Sequence, residues 1–308
     1  MAIKRRTTNT GKILSLLLFM PAWIFAYSNH LFSNIDGSKL QINQLPEVLE
    51  RDGRTEKLSI FELVILGQLQ NFVEDEMGIE RFSDPFWAGT SFLTNLLDSS
   101  RWNIKTAKRK LRKAIRQRRA SDSNAIANKN ETLSDLSQSF NFEIKGLDKE
   151  SCPIIILPIG EWRTYRSFIE KTKSLPLAHK RLKLYFHNLM ERGLEPLRNR
   201  NDSECSQITL IADMDGYIHI HSSGVKIFLD FIRQFHISYP GVLKIAYIIN
   251  STPDFLNVAQ AVKTRVPWDL RTKSFIYTDK SFWQEALLQN IASSQLAPEY
   301  GGTNFFLG

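Results

Sequence analysis

Histidine and cysteine are the side chains that could bring metal or nucleophilic chemistry to this chain. His219 and His221 alternate across Ile220, so both could point the same way on a strand and share a metal ion. No third ligand stands at an obvious spacing, and two polar residues at a strand end are the commoner case. Cys152 precedes a proline and an apolar run, which indicates packing rather than a reactive thiol. We expect no metal site and no catalytic residue, and whether Cys152 pairs with Cys205 stays open.

Two aspartates follow the apolar run in "ITLIADMDGYI". A strand ending in Asp-x-Asp-Gly resembles the nucleophile motif of haloacid-dehalogenase-type phosphatases, in which the first aspartate attacks phosphorus and the second handles the leaving group. That resemblance would give these roles to Asp213 and Asp215. The chain lacks the Gly-Asp-x-x-x-Asp acids that hold magnesium in such enzymes. The alternative is that Asp213 and Gly216 turn the chain at the end of a strand.

Length and composition are those of an ordinary globular protein. The chain has 308 residues, of which 43% are hydrophobic and 23% charged, so it can bury a sizeable core in one domain with a helical appendage. Its two cysteines exclude a disulfide-rich scaffold and a cysteine-rich zinc module. The sequence contains no Gly-rich phosphate loop, Gly-x-Ser-x-Gly elbow or His-Glu-x-x-His motif, which removes three common classes of enzyme.

Residues 1–28 have the character of a signal peptide or a membrane anchor. "MAIKRRTTNTGK" is basic, and "ILSLLLFMPAWIFA" (Ile13 to Ala26) is apolar and uncharged. This apolar run is interrupted by Pro21 and is short for a bilayer span, which needs about 20 residues. An amphipathic docking segment is the remaining alternative. The segment favours the secretory pathway or membrane anchoring.

The run from Lys105 to Arg119 holds nine lysines and arginines and no acid. Since the net charge of the whole chain is +8, its basicity is local. Apolar residues repeat at helical spacing through the run and predict an amphipathic helix. Its outer face is either solvated or attracted to an anionic membrane, where each nearby cation contributes about 1 kcal/mol. Nucleic acid is not expected, because no recognised nucleic-acid-binding motif accompanies the charge. The residues that we expect to face the membrane are Lys108, Arg109, Arg112 and Arg116.

The chain divides into a helical part and a part in which strands and helices alternate. Residues 58–119 have the pattern of helices, and residues 120–135 have the small, polar composition of a linker. Residues 136–303 contain the short apolar runs "CPIIILPI", "QITLIAD", "VLKIAYIIN" and "KSFIYTD" between helical stretches. This alternation predicts an α/β domain with a largely parallel sheet.

Two predicted helices carry a large apolar surface. The first, over 222–236, is apolar around most of its circumference, and the second, over 253–266, has one apolar stripe after an N-cap at Thr252. Lys263 lies on the flank of that stripe, about 80° from its centre. An ordinary α/β core would explain both faces equally well. The side chains concerned are Phe228, Phe231, Ile232 and Phe235 on the first helix, and Phe255, Val258, Ala259, Val262 and Val266 on the second.

The order of several motifs resembles the Sec14-like, or CRAL-TRIO, lipid-binding domain. The chain has a strand ending in Asp-x-x-Gly, then an apolar helix, then Tyr239-Pro240 before a strand ending in Ile249-Asn250, and finally "EYGG". Upstream, "SRWNIKTAKRKLRKAIRQRR" is similar to the N-terminal helical region of that family. The resemblance covers roughly residues 58 to 303. It implies a mixed, largely parallel sheet covered by helices and preceded by a small helical domain.

The same resemblance implies a carrier of a phospholipid or another lipophilic molecule, with an apolar cavity closed by a movable gate helix. "TPDFLNVAQAVKTRV" matches the gate, and Lys263 and Asp230 match positions that contact the headgroup in phosphatidylinositol-binding members. We expect a monomer that needs no cofactor besides its lipid cargo and that works at an anionic membrane surface. The family's usual compartment is the cytoplasm, in contrast to the signal-like N-terminus. A membrane-tethered sensor that presents lipid is the alternative to a carrier.

Two departures bear on the headgroup. Asp230 replaces a glutamate and has a shorter reach. Where many members read Phe-Leu-Arg-Ala-Arg, this chain has "LLDSS" at Leu96 to Ser100 and lacks both arginines. The resemblance therefore implies lipid binding more firmly than phosphoinositide binding.

Overall fold

A computed structural model describes residues 58–76, 85–127, 133–162, 174–198, 205–217 and 225–305. The signal-like segment 1–28, His219, His221 and the side chain of Phe228 lie outside the described part. Within it, no helix has both the length and the apolar character needed to cross a membrane.

The N-terminal part consists of helices. α1 (Ile60–Asn71) begins at a capping box in which Ser59 and Glu62 exchange hydrogen bonds, and it continues as a π-helical turn (Phe72–Glu76). The helices that follow are α2 (Pro85–Ala88), α3 (Thr90–Asp98), α4 (Ile104–Ala127) and α5 (Leu133–Ser139). The apolar stripe predicted on the basic run is buried at Ala107, Leu111 and Ile115, so α4 packs as an amphipathic helix.

The stretch 120–135, predicted to be a linker, is helical in most of its length. α4 continues through these residues to Ala127, and α5 begins at Leu133. The small, polar residues at 120–127 include no glycine or proline to end a helix. Extending a helix that is already anchored by core residues is far easier than starting one, so their weak propensity does not end α4.

The C-terminal part contains a sheet of five strands in the order β1-β2-β3-β4-β5. β1 (Glu143–Leu147) is antiparallel to β2 (Pro153–Pro158), whereas β3 (Ile208–Asp213), β4 (Leu243–Ile249) and β5 (Ser274–Ile276) continue the sheet in parallel. The helices of this part are α6 (Leu175–Arg198), α7 (Val225–Ser238), α8 (Pro253–Val262), α9 (Trp268–Arg271) and α10 (Lys280–Asn290). This confirms the predicted fold class: a mixed, largely parallel sheet with helices, preceded by a helical region.

The central strands are covered on both faces. On one face, Ile154, Ile211 and Ile249 pack with Trp283 and Leu287 of α10. The alternate residues of the same strands point the other way and join a larger core with the N-terminal helices, α6, α7 and α8. Phe231 and Phe235 of α7 and Phe255 of α8 belong to this larger core, and α7 packs against α4 and α6.

Cys152 and Cys205 form a disulfide with their Cα atoms 5.5 Å apart. Cys152 directly precedes β2 and Cys205 lies shortly before β3, so the bond joins the entrances of two neighbouring parallel strands. Both residues are buried, in line with the expectation that Cys152 has a packing role. The sequence did not reveal this pairing, because the two cysteines are 53 residues apart.

Candidate lipid-binding site

α7 and α8 bring most of the predicted apolar side chains into one core. Phe231, Phe235 and Phe255 are buried there, and Ile232, Ala259 and Val266 are partly buried against it. Strands β3, β4 and β5 contribute Ala212, Ala246 and Ile276 to the same cluster. Most of the side chains predicted to form a lipid-facing surface thus belong to one apolar core, in which Phe231 packs on Phe186 of α6 and Phe255 packs on Tyr217.

The start of α8 is defined by local chemistry. The Thr252 hydroxyl accepts a hydrogen bond from the backbone N–H of Phe255, and Pro253 occupies the first turn, as predicted. The ring of Phe255 meets the ring of Tyr217 edge-on, with 5.6 Å between centroids. Burial, followed by the negative charge of Asp254, raises the pKa of Tyr217. The first turn of α8 is therefore held firmly against the core.

The buried side of α8 is rotated relative to the predicted stripe. The α8 side chains that pack in the cluster are Phe255, Leu256 and Ala259, whereas Val258 and Val262 are half-buried on the flank. At 3.6 residues per turn, Lys263 then lies about 30° from the middle of the buried side rather than about 80°. The contact of Leu256 with the core was not predicted, although an apolar residue next to Phe255 could have indicated it.

α8 is also shorter than predicted. It ends at Val262, and a 3₁₀ turn (Lys263–Arg265) takes the place of its expected last turn. Val266 has extended backbone angles, because the ring of Pro267 disfavours helical geometry in the residue before it. The helix is therefore broken between Lys263 and Pro267.

The two predicted headgroup residues, Lys263 and Asp230, are both half-buried. The carbonyl of Lys263 accepts a hydrogen bond from the guanidinium of Arg271 at 3.4 Å, which fixes its backbone rather than its ammonium. Among the described residues, no hydrogen bond or ion pair joins the Lys263 and Asp230 side chains.

A small cavity of about 20 Å³ lies between α6 and α7. A volume of this size admits a single water molecule, whereas ligand pockets usually measure about 300–1,000 Å³. Two of the residues that line it, Phe186 of α6 and Phe231 of α7, contact each other with tilted rings and 4.4 Å between their centroids. The residues that line it are Lys183, Phe186, His187, Met190, Phe231, Gln234, Phe235, Ser238 and Tyr239.

A partly buried ionic cluster borders this cavity. The guanidinium of Arg118 on α4 donates two hydrogen bonds to Glu191 of α6, at 2.9 and 2.7 Å, and lies 4.1 Å from the ring centroid of Trp87. Arg198 donates to the same carboxylate at 2.7 Å, and the hydroxyl of Tyr239 donates to it at 2.6 Å. Burial alone would raise the pKa of Glu191, but Arg118 and Arg198 outweigh it and lower the pKa to about 2. The cluster ties the N-terminal helices to the sheet-containing part.

A second polar cluster holds the segment after α8. Asp269 of α9 lies 3.4 Å from the ammonium of Lys110 on α4 and 3.2 Å from Nδ1 of His236 on α7. Burial would raise the pKa of Asp269, but His236 and then Lys110 hold it below its ordinary value. The guanidinium of Arg101 lies over the ring of the neighbouring Trp268, 4.2 Å from the ring centroid. Three parts of the chain therefore converge on α9.

The basic run divides between the interior and the surface. Arg109, Arg112 and Arg116 are exposed and Lys108 is half-buried, so most of the predicted membrane-facing set is accessible. Lys110 and Arg118, by contrast, point inward into the two polar clusters. Neither residue belongs to the four that were predicted to face the membrane, and the sequence predicted no role for them. Sequence reasoning missed them because every basic residue of the run looks alike in composition.

Asp213, the predicted alternative nucleophile, serves the turn after β3. Its carboxylate accepts hydrogen bonds from the backbone N–H of Asp215 at 2.9 Å and from the Asn250 amide at 2.8 Å. Gly216 has φ +79°, a left-handed geometry that favours glycine. This arrangement matches the turn interpretation. In the described parts of the chain, no group of three or more histidine, cysteine or acidic side chains could hold a metal ion.

Comparison with known proteins places this arrangement in a family. A model of the CRAL/TRIO domain matches residues 137–302, more than half of the chain. The fold is similar to that of a protein described as "Crystal structure of Sfh5", with a TM-score of 0.56 and 19% sequence identity over 74% of this chain and 83% of that one. The chain belongs to the CRAL/TRIO family. Membership supports lipid binding in general, and proteins of this family are generally lipid carriers rather than enzymes.

Proposed function

We propose that the protein binds a phospholipid or another lipophilic molecule and exchanges it between membranes. The observation that carries the proposal is the burial of Phe231, Phe235 and Phe255 in the core that includes one face of the sheet. It is joined by the 3₁₀ turn and Pro267 after α8, which we propose as a hinge. The cargo would replace the apolar contacts that α8 makes with the core. No nucleophile or acid–base pair is needed for this task.

Energetics explain why such a carrier is useful. Each methylene removed from water contributes about 0.8 kcal/mol, so an acyl chain of a membrane lipid leaves its bilayer through water at a cost of about 10 kcal/mol or more. An apolar cavity that receives the chain lowers this barrier. The small cavity between α6 and α7 is too small for the cargo, and none of its lining residues comes from α8. We therefore propose that the cargo enters a separate space, which opens when α8 moves away from the core.

Lys263 is the proposed headgroup contact. It lies at the hinge, close to the buried side of α8, and its ammonium would be brought near a phosphate at the mouth of the opened site. Asp230 of α7 is the second proposed headgroup residue. Because the arginines of the Phe-Leu-Arg-Ala-Arg pattern are missing, we propose phosphatidylinositol as one candidate cargo beside uncharged lipophiles.

The partner surface is proposed to be an anionic membrane, reached through Arg109, Arg112 and Arg116 of α4. Reversing these charges to glutamate should weaken binding to anionic vesicles, most strongly at low salt, because the Debye length is about 10 Å at 0.1 M. If the variant binds anionic vesicles as well as the wild type does, the outer face of α4 is only solvated and does not contact the membrane.

The experiment that tests the cargo is mass spectrometry of lipids that co-purify with the protein, followed by transfer of the identified lipid between vesicles. A single lipid class bound at about one molecule per chain supports the carrier. If no lipid co-purifies and no lipid is transferred, the carrier function is contradicted. Phosphate release that depends on magnesium and disappears in Asp213→Asn would instead support the phosphatase alternative.

A further inference from the structure

The first turns of α1 expose four large apolar side chains, Ile60, Phe61, Leu63 and Val64, which we name the α1 tip. Their side chains are 83%, 69%, 52% and 54% exposed. The opposite side of α1 is buried through Ile65, Leu66 and Leu69. The helix is thus apolar on its outer as well as its inner side, and ordinary packing explains only the inner one.

A basic helix packs against α1. α1 packs against α4, and the ammonium of Lys108 and the guanidinium of Arg112 lie 4.8 and 4.7 Å from the ring centroid of Phe72, in the turn that continues α1. α4 also exposes Lys105, Arg109, Lys113 and Arg116. Glu62, the acid within the tip, is held by Ser59 in the capping box. α1 therefore has an apolar tip at its start and contacts cations of α4 near its other end, where Glu74 and Asp75 are also exposed.

We propose that the α1 tip inserts into the interfacial region of an anionic membrane while α4 binds the lipid headgroups. Apolar insertion and electrostatic attraction are each weak alone, and stable but reversible attachment requires both. The charge on α4 favours a lipid surface over a neutral protein partner, because anionic headgroups would neutralise it. This inference rests on the membrane docking proposed above and adds an apolar anchor outside the lipid-binding core.

The test is a matched pair of serine variants, because Leu63 on the tip and Leu177 on α6 have nearly the same exposure, 52% and 49%. Full-length chains carrying Leu63→Ser or Leu177→Ser are floated with phosphatidylcholine vesicles that contain phosphatidylserine. Leu63→Ser should weaken binding by about tenfold, since a leucine no longer leaves water, and Leu177→Ser should not. The ratio between wild type and Leu63→Ser should persist in high salt, because apolar transfer is not screened.

Several results would overturn the inference. Equal binding of both variants would show that the tip makes no membrane contact. A fall in Tm for Leu63→Ser alone would show that the tip is covered by another part of its own chain. Conversion of an oligomer to a monomer, with vesicle binding unchanged, would assign the tip to a second copy. Co-purified lipid is measured in parallel: its retention in Leu63→Ser separates loss of the anchor from failure of the carrier function.

Discussion

The ammonium of Lys110 lies 3.4 Å from the carboxylate of Asp269 and joins the basic helix α4 to the segment that follows α8. Lys110 also donates a hydrogen bond at 2.7 Å to the carbonyl of Ser99, directly after α3, and this second contact fixes the position of its ammonium. Asp269 is buried, so its charge depends on Lys110 and His236 for compensation. This contact therefore joins α4 to α9, which follows α8.

Replacing Lys110 with methionine should loosen α9 and destabilise the protein. A buried carboxylate that loses one partner costs about 1–3 kcal/mol, so Tm should fall. We expect faster lipid exchange from the same variant, because α8 is held less firmly at its downstream end. Lys113→Met, an exposed change on the same helix, is the control. Exchange at the wild-type rate in Lys110→Met would mean that this contact does not restrain the gate.

Glu191 should make the protein sensitive to acid. Its pKa falls from an ordinary value of 4.5 to about 2 on folding, so its stabilising contribution is complete above pH 4.5 and is lost as the pH drops towards 2. The contribution is about 3 kcal/mol at neutral pH. Glu191→Gln should therefore unfold more easily at pH 7 and depend less on pH between 4.5 and 2.

Denaturant unfolding at several pH values measures this dependence. The matched control is Glu195→Gln, which removes an exposed carboxylate from the same helix. If both variants have the same pH dependence as the wild type, the ionic cluster does not stabilise the fold.

Lys263→Ala should separate headgroup recognition from stability. The side chain is half-buried and its ammonium has no partner among the described residues, so the free energy of unfolding should change by no more than about 0.5 kcal/mol. Loss of a charged contact with a phosphate should reduce phosphatidylinositol transfer about tenfold while transfer of an uncharged lipid survives. Arg265→Ala, two residues further on and exposed, is the control. Normal phosphatidylinositol transfer by Lys263→Ala would remove its headgroup role.

The orientation of α8 makes a separate prediction. Because Ala259 faces the core and Val258 lies on the flank, Ala259→Asp should impair binding of every lipid more strongly than Val258→Asp does. Lipid uptake from vesicles, measured for both variants, tests this order. A larger loss in Val258→Asp would show that the loaded protein uses the stripe predicted from the sequence.

The disulfide should contribute substantially to stability. A bond that closes a loop of 53 residues lowers the entropy of the unfolded chain by an amount worth about 4 kcal/mol. The double variant Cys152→Ser/Cys205→Ser should melt at a lower temperature than the oxidised wild type. Reductant should lower the Tm of the wild type towards that of the variant and leave the variant unchanged. Identical wild-type melting with and without reductant would mean that the two thiols are not joined.

The sequence by itself determined the class of fold and the order of its elements. Alternation of apolar residues, helical periodicity and caps such as Thr252 before Pro253 act between near neighbours in the chain, so they can be recognised without knowing the tertiary structure. The strands that begin at Pro153, Ile208 and Leu243 were predictable for this reason. The family resemblance rested on the same local motifs in a fixed order.

Only the tertiary structure decided which residues of the same chemical type are buried in contacts and which are exposed. Lys110 and Arg118 differ from the exposed arginines of α4 because Asp269 and Glu191, 159 and 73 residues away, lie opposite them. The rotation of α8 depends on where Tyr217 and the sheet meet it, and the pairing of Cys152 with Cys205 depends on β2 lying beside β3. These contacts join residues that are distant in sequence, and a pattern of near neighbours carries no information about which distant partners fold together.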